Sequence, residues 1–320
     1  MNNFSFYDLQ PKISNFRDEV LAGLSKQQKQ IPPKFFYDDY GSKIFDQICE
    51  LEEYYPTRTE FSILQQHCSD IADQIGENSL VIEYGSGSSQ KICLLLDSLM
   101  KPLAYMPIDI SREHMLSASK TIADKYPDLE VLAVCADYTT EMLVPDYDHS
   151  SLNKKVIFFP GTTIGNLEPE QAVQLLKRSA AIVGSGGGML IGFDMKKDPQ
   201  ILHAAYNDAK GVTAAFNVNL LTRINKELEA DFDTNKFAHY AFFNLSKSRI
   251  EMHLVSLAEQ IVIISGQPFS FSEGESIYTE NSYKFSMREI KNLSEGTGFK
   301  LSNFWTDPEN HFYLCYLLVN

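Results

Sequence analysis

A doubly wound α/β sheet, interrupted by an inserted α+β segment, is the fold class that the sequence predicts. Three observations carry this expectation. Val81-Ile82-Glu83-Tyr84-Gly85-Ser86-Gly87 reads as a buried strand running into a tight glycine turn, and Lys91 to Met100 follows with apolar residues at helical spacing. From residue 59 to about 195, apolar runs alternate with helical periodicity, as parallel strands joined by crossover helices do. After Asp194 that alternation breaks.

Taken in order, residues 1 to 58 precede the first sheet strand and are rich in aromatic and polar side chains. Lys34 to Ser42 reads as an irregular loop, and Lys43 to Leu51 as a short helix with Ile44, Phe45 and Ile48 on one face. Pro56 should push Tyr55 into an extended conformation, leaving Thr59 to cap a helix towards Ile75. Strands are expected at Leu80–Ile82, Ala104–Asp109, Val131–Tyr138, Val156–Gly161 and Met189–Asp194. Glu168-Pro169-Glu170 opens a helix, because proline and acids suit a first turn. Lys196 to Leu228 reads as mostly helical, and Phe232 to Phe271 as strand-rich. Ile277 to Phe285 alternates so that Glu280 and Ser282 share one strand face. A helix over Ser286 to Gly298 and a hairpin of Leu301–Trp305 with Phe312–Val319 close the chain. The expected domains are thus 59–195 with 286–320, and 1–58 with 196–285, the second lying over the carboxyl edge of the sheet as a substrate-binding lid.

Composition narrows the function. The chain has 320 residues, 44% of them hydrophobic and 22% charged, enough for a large core. A formal charge of −14 opposes binding to nucleic acid or to an anionic membrane surface, both of which call for a basic face. Cys49, Cys68, Cys93, Cys135 and Cys315 are scattered, odd in number and without a C-x-x-C pair, as expected of buried thiols in a reducing cytoplasm. The amino terminus lacks a basic start with an apolar core, no apolar run approaches the ~18 residues of a membrane helix, and no His/Cys cluster has metal-ligand spacing. A cytoplasmic monomer acting on a small molecule is expected.

The strand ends carry the chemistry. Gly85 and Gly87 bare the backbone beside a helix start, a place for a ligand laid against peptide groups. Asp109 ends the second strand, where an acid can hydrogen-bond a ribose diol, and Asp137 ends the third, placed for an adenine amino group. Glycine turn, acid, acid, then a strand running into the loop Gly161 to Leu167 is the layout of an S-adenosylmethionine pocket. A nicotinamide dehydrogenase is disfavoured, because Gln90 stands where the dinucleotide fingerprint needs its third glycine.

Longer stretches are more specific. FFYDDYGSKIFDQI, ELEEYYPTRTE, EYGSGSSQK, FFPGTTIGNLEP, DMKKDPQILHAAYND, GVTAAFNVNLL, RIEMHL and YTENSYKF make the chain, from about Lys34 to the C-terminus, resemble the histidine-specific Nα-methyltransferases of ergothioneine biosynthesis. The resemblance implies a Rossmann-like methyltransferase sheet, and trimethylation of the α-amino group of L-histidine to hercynine with three molecules of S-adenosylmethionine. Residue by residue, it assigns the cofactor to Gly85, Gly87, Lys91, Asp109, Asp137 and Tyr138. It assigns the substrate carboxylate to Asn166 and Tyr206, and the surroundings of the reacting amine to Tyr37 and Gly161. Tyr54 would lie near the imidazole, which Glu280 and Ser282 would hydrogen-bond, with Met252 beside them. Tyr84 stands where a smaller apolar residue is expected, and Tyr138 where phenylalanine is usual. Water or Tyr37 would receive the amine proton. Relatives methylate other aromatic amino acids, so a different amino acid, or a methyltransferase-like binding protein without activity, is the alternative.

Overall fold

The computed structural model describes residues 3–9, 16–87, 89–142 and 144–320. In chain order the strands are β1 (Phe4–Asp8), β2 (Ser79–Tyr84), β3 (Ala104–Asp109), β4 (Glu130–Cys135), β5 (Lys154–Phe159) and β6 (Gly188–Asp194). There follow β7 (Phe237–Asn244), β8 (Arg249–Ser256), β9 (Gln260–Ile264), β10 (Gln267–Phe271), β11 (Ser276–Tyr283), β12 (Phe299–Thr306) and β13 (Phe312–Val319). The helices are α1 (Phe16–Leu24), α2 (Asp39–Cys49), α3 (Tyr55–Ile75), α4 (Gln90–Ser98) and α5 (Arg112–Lys125). After them come α6 (Pro169–Val183), α7 (Pro199–Tyr206), α8 (Val212–Leu228) and α9 (Met287–Glu295).

Two compact units divide the chain: Pro56–Lys196 and Lys284–Asn320 with the amino-terminal strand, and Lys197–Tyr283 with the segment ending at Tyr55. In the first unit the sheet runs β1-β4-β3-β2-β5-β6-β13-β12. Pairing is parallel from β1 to β6 and antiparallel where β13 meets β6 and β12. Every residue of β2 is buried, as a central parallel strand covered on both faces requires. Leu80, Ile82 and Tyr84 face one apolar cluster with α6, while Val81 faces another with α3 and α4, following the period of two. The order reverses at β2, which pairs with β3 on one side and β5 on the other. Its carboxyl end therefore opens into a switch-point crevice, the usual ligand position in such sheets.

The second unit holds a three-stranded antiparallel sheet, β11-β8-β7, and the hairpin β9–β10. Its core is aromatic, with Phe36 stacked on Phe216 at 4.5 Å. Between α7 and α8 the Asp208 carboxylate accepts the Val212 and Thr213 N–H groups at 2.9 and 2.8 Å, satisfying the open first turn of α8. The stretch 196–228 is accordingly two helices with a break between them.

Three local expectations are corrected. Tyr55 is not extended and Thr59 is not a cap: α3 begins at Tyr55, and Pro56 occupies its first turn, where a missing N–H costs nothing. Residues 34–42 are not an irregular loop, because Pro33–Phe36 forms a 3₁₀ turn and Asp38 caps α2, accepting the Gly41 N–H at 2.7 Å. The amino-terminal segment does not all belong with the insertion either. Phe4–Asp8 pairs in parallel with Val131–Cys135 as the sheet edge, alternating Phe4 and Phe6 onto the α5 side of β4.

Glu83, on β2, is buried within this sheet and accepts a hydrogen bond from the Tyr105 hydroxyl. Burial pushes its carboxyl up to about 8, with the Tyr105 bond and the Lys91 charge opposing and the nearby Asp109 and Glu60 charges adding to it. Between its ordinary value of 4.5 and about 8, the folded chain holds a proton that the unfolded chain has released. Its contribution is complete below that window and is lost as pH rises through it, by up to about 1.4 kcal/mol per pH unit. Glu83→Gln should flatten the fall in thermal midpoint between pH 5 and 8 (about the width of the window). Equal pH slopes for parent and variant would show that Glu83 is ionised throughout.

Candidate active site

In the first unit the site begins where β2 ends. Gly85 turns with φ +75°, in the left-handed region that side chains avoid, and donates its N–H to the Ile108 carbonyl at 3.0 Å. A Cβ there would come within 3.7 Å of the Tyr138 hydroxyl. The turn and Asp109 are thereby drawn together, and Ser86 N–H lies among the backbone groups that favour the Asp109 carboxylate. Burial still holds that carboxyl above its ordinary range, with the Ser111 N–H, 2.8 Å from Oδ1, opposing the shift. β4 stops at Cys135, short of the expected Tyr138, and Asp137 follows two residues on. One of its oxygens is taken by the Thr139 N–H at 2.9 Å and hydroxyl at 2.5 Å, which fixes the carboxylate. Tyr84 and Tyr138 lie parallel, 5.1 Å apart, so the two departures from the expected pattern pack on each other.

These residues fit a bound S-adenosylmethionine. Ser86 Oγ is buried in the glycine turn with no hydrogen-bond partner among the described residues, so the turn holds a polar atom that a ligand could satisfy. Asp109 suits the ribose diol, Asp137 the adenine edge and Tyr138 the adenine face. Lys91 is engaged differently from the other cofactor candidates. Its ammonium pairs with the wholly buried carboxylate of Glu60, whose two oxygens each also lie 2.9 Å from the Gly161 N–H that donates to them. Gly161 has φ +77° and opens the loop to the 3₁₀ turn Thr163–Asn166, on which Asn166 is half-buried.

In the second unit a polar group sits inside an aromatic cluster. Glu280 pairs with Met252 and Ser282 with Ile250, both beyond the bulge between Tyr278 and Glu280, so the two polar residues keep a common face. Both are buried. Tyr206, at the end of α7, donates its hydroxyl to Ser282 Oγ at 2.8 Å. Tyr54 meets Tyr206 edge-on at 6.2 Å, Phe45 bridges Tyr54 and Tyr37, and Tyr37 packs edge-on against Phe216 at 5.8 Å. Burial first, then the neighbouring Tyr206, Cys49, Tyr37 and Glu280, push the Tyr54 phenol well above its ordinary range; it stays a neutral donor. The structure thus brings Tyr37, Tyr54, Tyr206, Met252, Glu280 and Ser282 together in this unit, whereas Gly161 and Asn166 belong to the first.

Behind these residues lies a layer that sequence reasoning missed. Asn217, fully buried on α8, accepts from the Thr279 hydroxyl at 2.8 Å and donates to the His253 carbonyl at 3.0 Å. Its amide also meets His239 Nδ1 at 2.9 Å, while His239 Nε2 reaches the Tyr206 carbonyl at 2.9 Å. A carbonyl only accepts, which assigns the proton to Nε2 and leaves Nδ1 to accept from Asn217. Burial holds the His239 pKa below its ordinary value, in keeping with a neutral ring. GVTAAFNVNLL holds the one signal for this layer, an asparagine among the mostly apolar residues that α8 buries.

Comparison with known proteins agrees with the geometry. A family model described as histidine-specific methyltransferase, SAM-dependent, matches residues 16–319. Histidine N-alpha-methyltransferase of Mycolicibacterium smegmatis is 39% identical over 304 residues, with 93% of each chain covered. The protein of the same name from Mycobacterium tuberculosis is 37% identical over 303 residues, again covering 93% of each. Among solved structures, a possible exported protein from Bordetella parapertussis aligns over 97% of this chain and 90% of its own with a TM-score of 0.53; at 10% identity this is a likeness of fold alone. The chain belongs to the family of S-adenosylmethionine-dependent, histidine-specific methyltransferases.

Proposed function

We propose that this chain transfers methyl groups from S-adenosylmethionine to the α-amino nitrogen of L-histidine three times, giving hercynine, in the cytoplasm. The observation that carries the substrate is the Tyr206–Ser282–Glu280 group: a buried carboxylate and a buried hydroxyl on one strand face suit a ring with two nitrogens. The five cysteines are all free thiols, which supports a reducing compartment. When bound, S-adenosylmethionine supplies a sulfonium methyl for in-line displacement. Positioning of the amine, near-attack at about 3–3.5 Å, then does most of the remaining work. A free α-amino group titrates near 7.7–8.0, so little is needed to present its lone pair. Holding histidine by its carboxylate (Tyr206) and its ring (Glu280, Ser282), all within the second unit, leaves the nitrogen free to turn between transfers. Mass spectrometry of the enzyme with S-adenosylmethionine and all twenty amino acids should show a gain of three methyl groups on histidine alone. A gain on another aromatic amino acid, or none, would overturn the assignment.

The cofactor half is tested separately. Asp109→Ala should weaken S-adenosylmethionine binding by about 1.5–3 kcal/mol, the contribution of a hydrogen bond to a charged group. Unchanged affinity by calorimetry would remove Asp109 from the ribose.

Selectivity rests on Glu280. Imidazole keeps at least one N–H donor in every protonation state, whereas phenyl offers none. A charge-assisted bond is worth about 1.5–3 kcal/mol, roughly 10- to 150-fold in kcat/KM. Glu280→Ala should lower kcat/KM for histidine by about that factor and narrow the gap to phenylalanine and tyrosine, with cofactor affinity unchanged. Parental histidine kinetics with the parental amino-acid preference would place ring recognition elsewhere.

A further inference from the structure

Glu60 closes the stretch ELEEYYPTRTE, in which the resemblance gives a role to Tyr54 alone, yet it is a charged side chain wholly buried on α3. A buried carboxylate is tolerated only when paired and hydrogen-bonded. Its partners are two candidate site residues: both oxygens accept the Gly161 N–H at 2.9 Å, and Oε2 also takes the Lys91 ammonium. The niche is built around it, because a Cβ on Gly192 would collide with the Gly161 carbonyl and fall 2.9 Å from Glu60 Oε1. All four residues belong to the first unit.

We infer that Glu60 is the positioning residue of the reaction, holding the Gly161 peptide in one orientation and tethering Lys91 at the start of α4. The inference rests on the proposed function and on the roles that the resemblance gives Gly161 and Asn166. The geometry supplies the reason. A trans peptide points its N–H and the preceding C=O in opposite directions, so fixing the Gly161 N–H on Glu60 turns the Pro160 carbonyl away from it. Gly161, in its left-handed conformation, then sets the direction in which the chain runs to Asn166. Without an anchored N–H this glycine is the freest joint in the loop. Lys91 differs from Gly161 in one respect that a test can use. Its flexible stem can follow a displaced carboxylate, whereas a backbone N–H at a strand end cannot.

Two near-isosteres separate these effects. Glu60→Asp keeps the charge for Lys91 but withdraws the carboxylate by one methylene from Gly161. Glu60→Gln keeps the reach, with an amide oxygen to accept from Gly161, and drops the charge. Histidine kcat and KM at saturating S-adenosylmethionine, the Kd for S-adenosylhomocysteine, thermal midpoints and the hydrogen exchange of the Gly161 amide are measured for both. Glu60→Asp should lose about tenfold or more in kcat/KM and in Gly161 amide protection while still binding S-adenosylhomocysteine, and Glu60→Gln should recover both to within about threefold. Parental turnover and protection in Glu60→Asp, an equal loss in Glu60→Gln, or losses that merely track the folded fraction would overturn the inference. A parent enzyme that leaves histidine unmethylated would instead overturn the proposed function, and the Gly161 exchange would still decide the role of Glu60.

Discussion

The larger sheet depends on how it tolerates being left and re-entered. The chain departs after Asp194, at the end of β6, and returns at Lys284. These two side chains are fully buried and joined Nζ to Oδ2 at 2.6 Å. Backbone bonds continue the seam: Phe285 N–H donates to the Asp194 carbonyl at 2.9 Å, and Lys196 N–H to the Phe285 carbonyl at 3.0 Å. A buried ion pair is weak evidence for stability in itself, but breaking it would leave an uncompensated charge in the core. It therefore specifies position more than it adds free energy. Residues 194–196 and 284–285 are thus pinned side by side within the first unit, where β13 pairs antiparallel with β6 and completes the sheet.

How much of this was legible in the sequence follows from which interactions are periodic. Strand ends and their acids were readable, because buried parallel strands are continuous apolar runs and Asp109 and Asp137 stand where those runs stop. Glu280 and Ser282 were readable as one face, since the bulge falls just before them and leaves the alternation between them intact. Their burial was not readable, because alternation gives a face without saying what covers it. The start of α3 departs from the expectation for a related reason. Proline restricts its predecessor in general, but a first helical turn lacks N–H partners in any case, and only the structure shows which constraint prevails at Tyr55.

Glu60 and Asn217 lie inside quoted stretches, but the sequence gives neither a partner, for a different reason. Each lies in a helix, where Glu is an ordinary surface residue and Asn an ordinary polar interruption. What makes them special is a distant partner, Gly161 at 101 residues for Glu60 and Thr279 on β11, at 62 residues, for Asn217. Long-range polar pairing leaves no period in the chain. Tyr84 and Tyr138 show the opposite case, in which two departures from a pattern explain each other once the rings are seen to lie 5.1 Å apart and 4° from parallel.

The network behind Tyr206 adds a directional argument. Asn217 has an acceptor end and a donor end, and both are committed: the oxygen to Thr279, the amide nitrogen to the His253 carbonyl and His239 Nδ1. Exchanging them would set a carbonyl oxygen against the His253 carbonyl, so only one amide orientation satisfies the set. That orientation demands a bare Nδ1 on His239, which demands a proton on Nε2, which in turn donates to Tyr206. Thr279 precedes Glu280, and Tyr206 holds Ser282, so one chain of directed bonds spans from the strand that carries the carboxylate to the helix that carries the phenol. Fully satisfied polar networks of this kind favour a single arrangement of their surroundings. At the substrate site proposed for this unit, that single arrangement would hold a small substrate still while one nitrogen reacts.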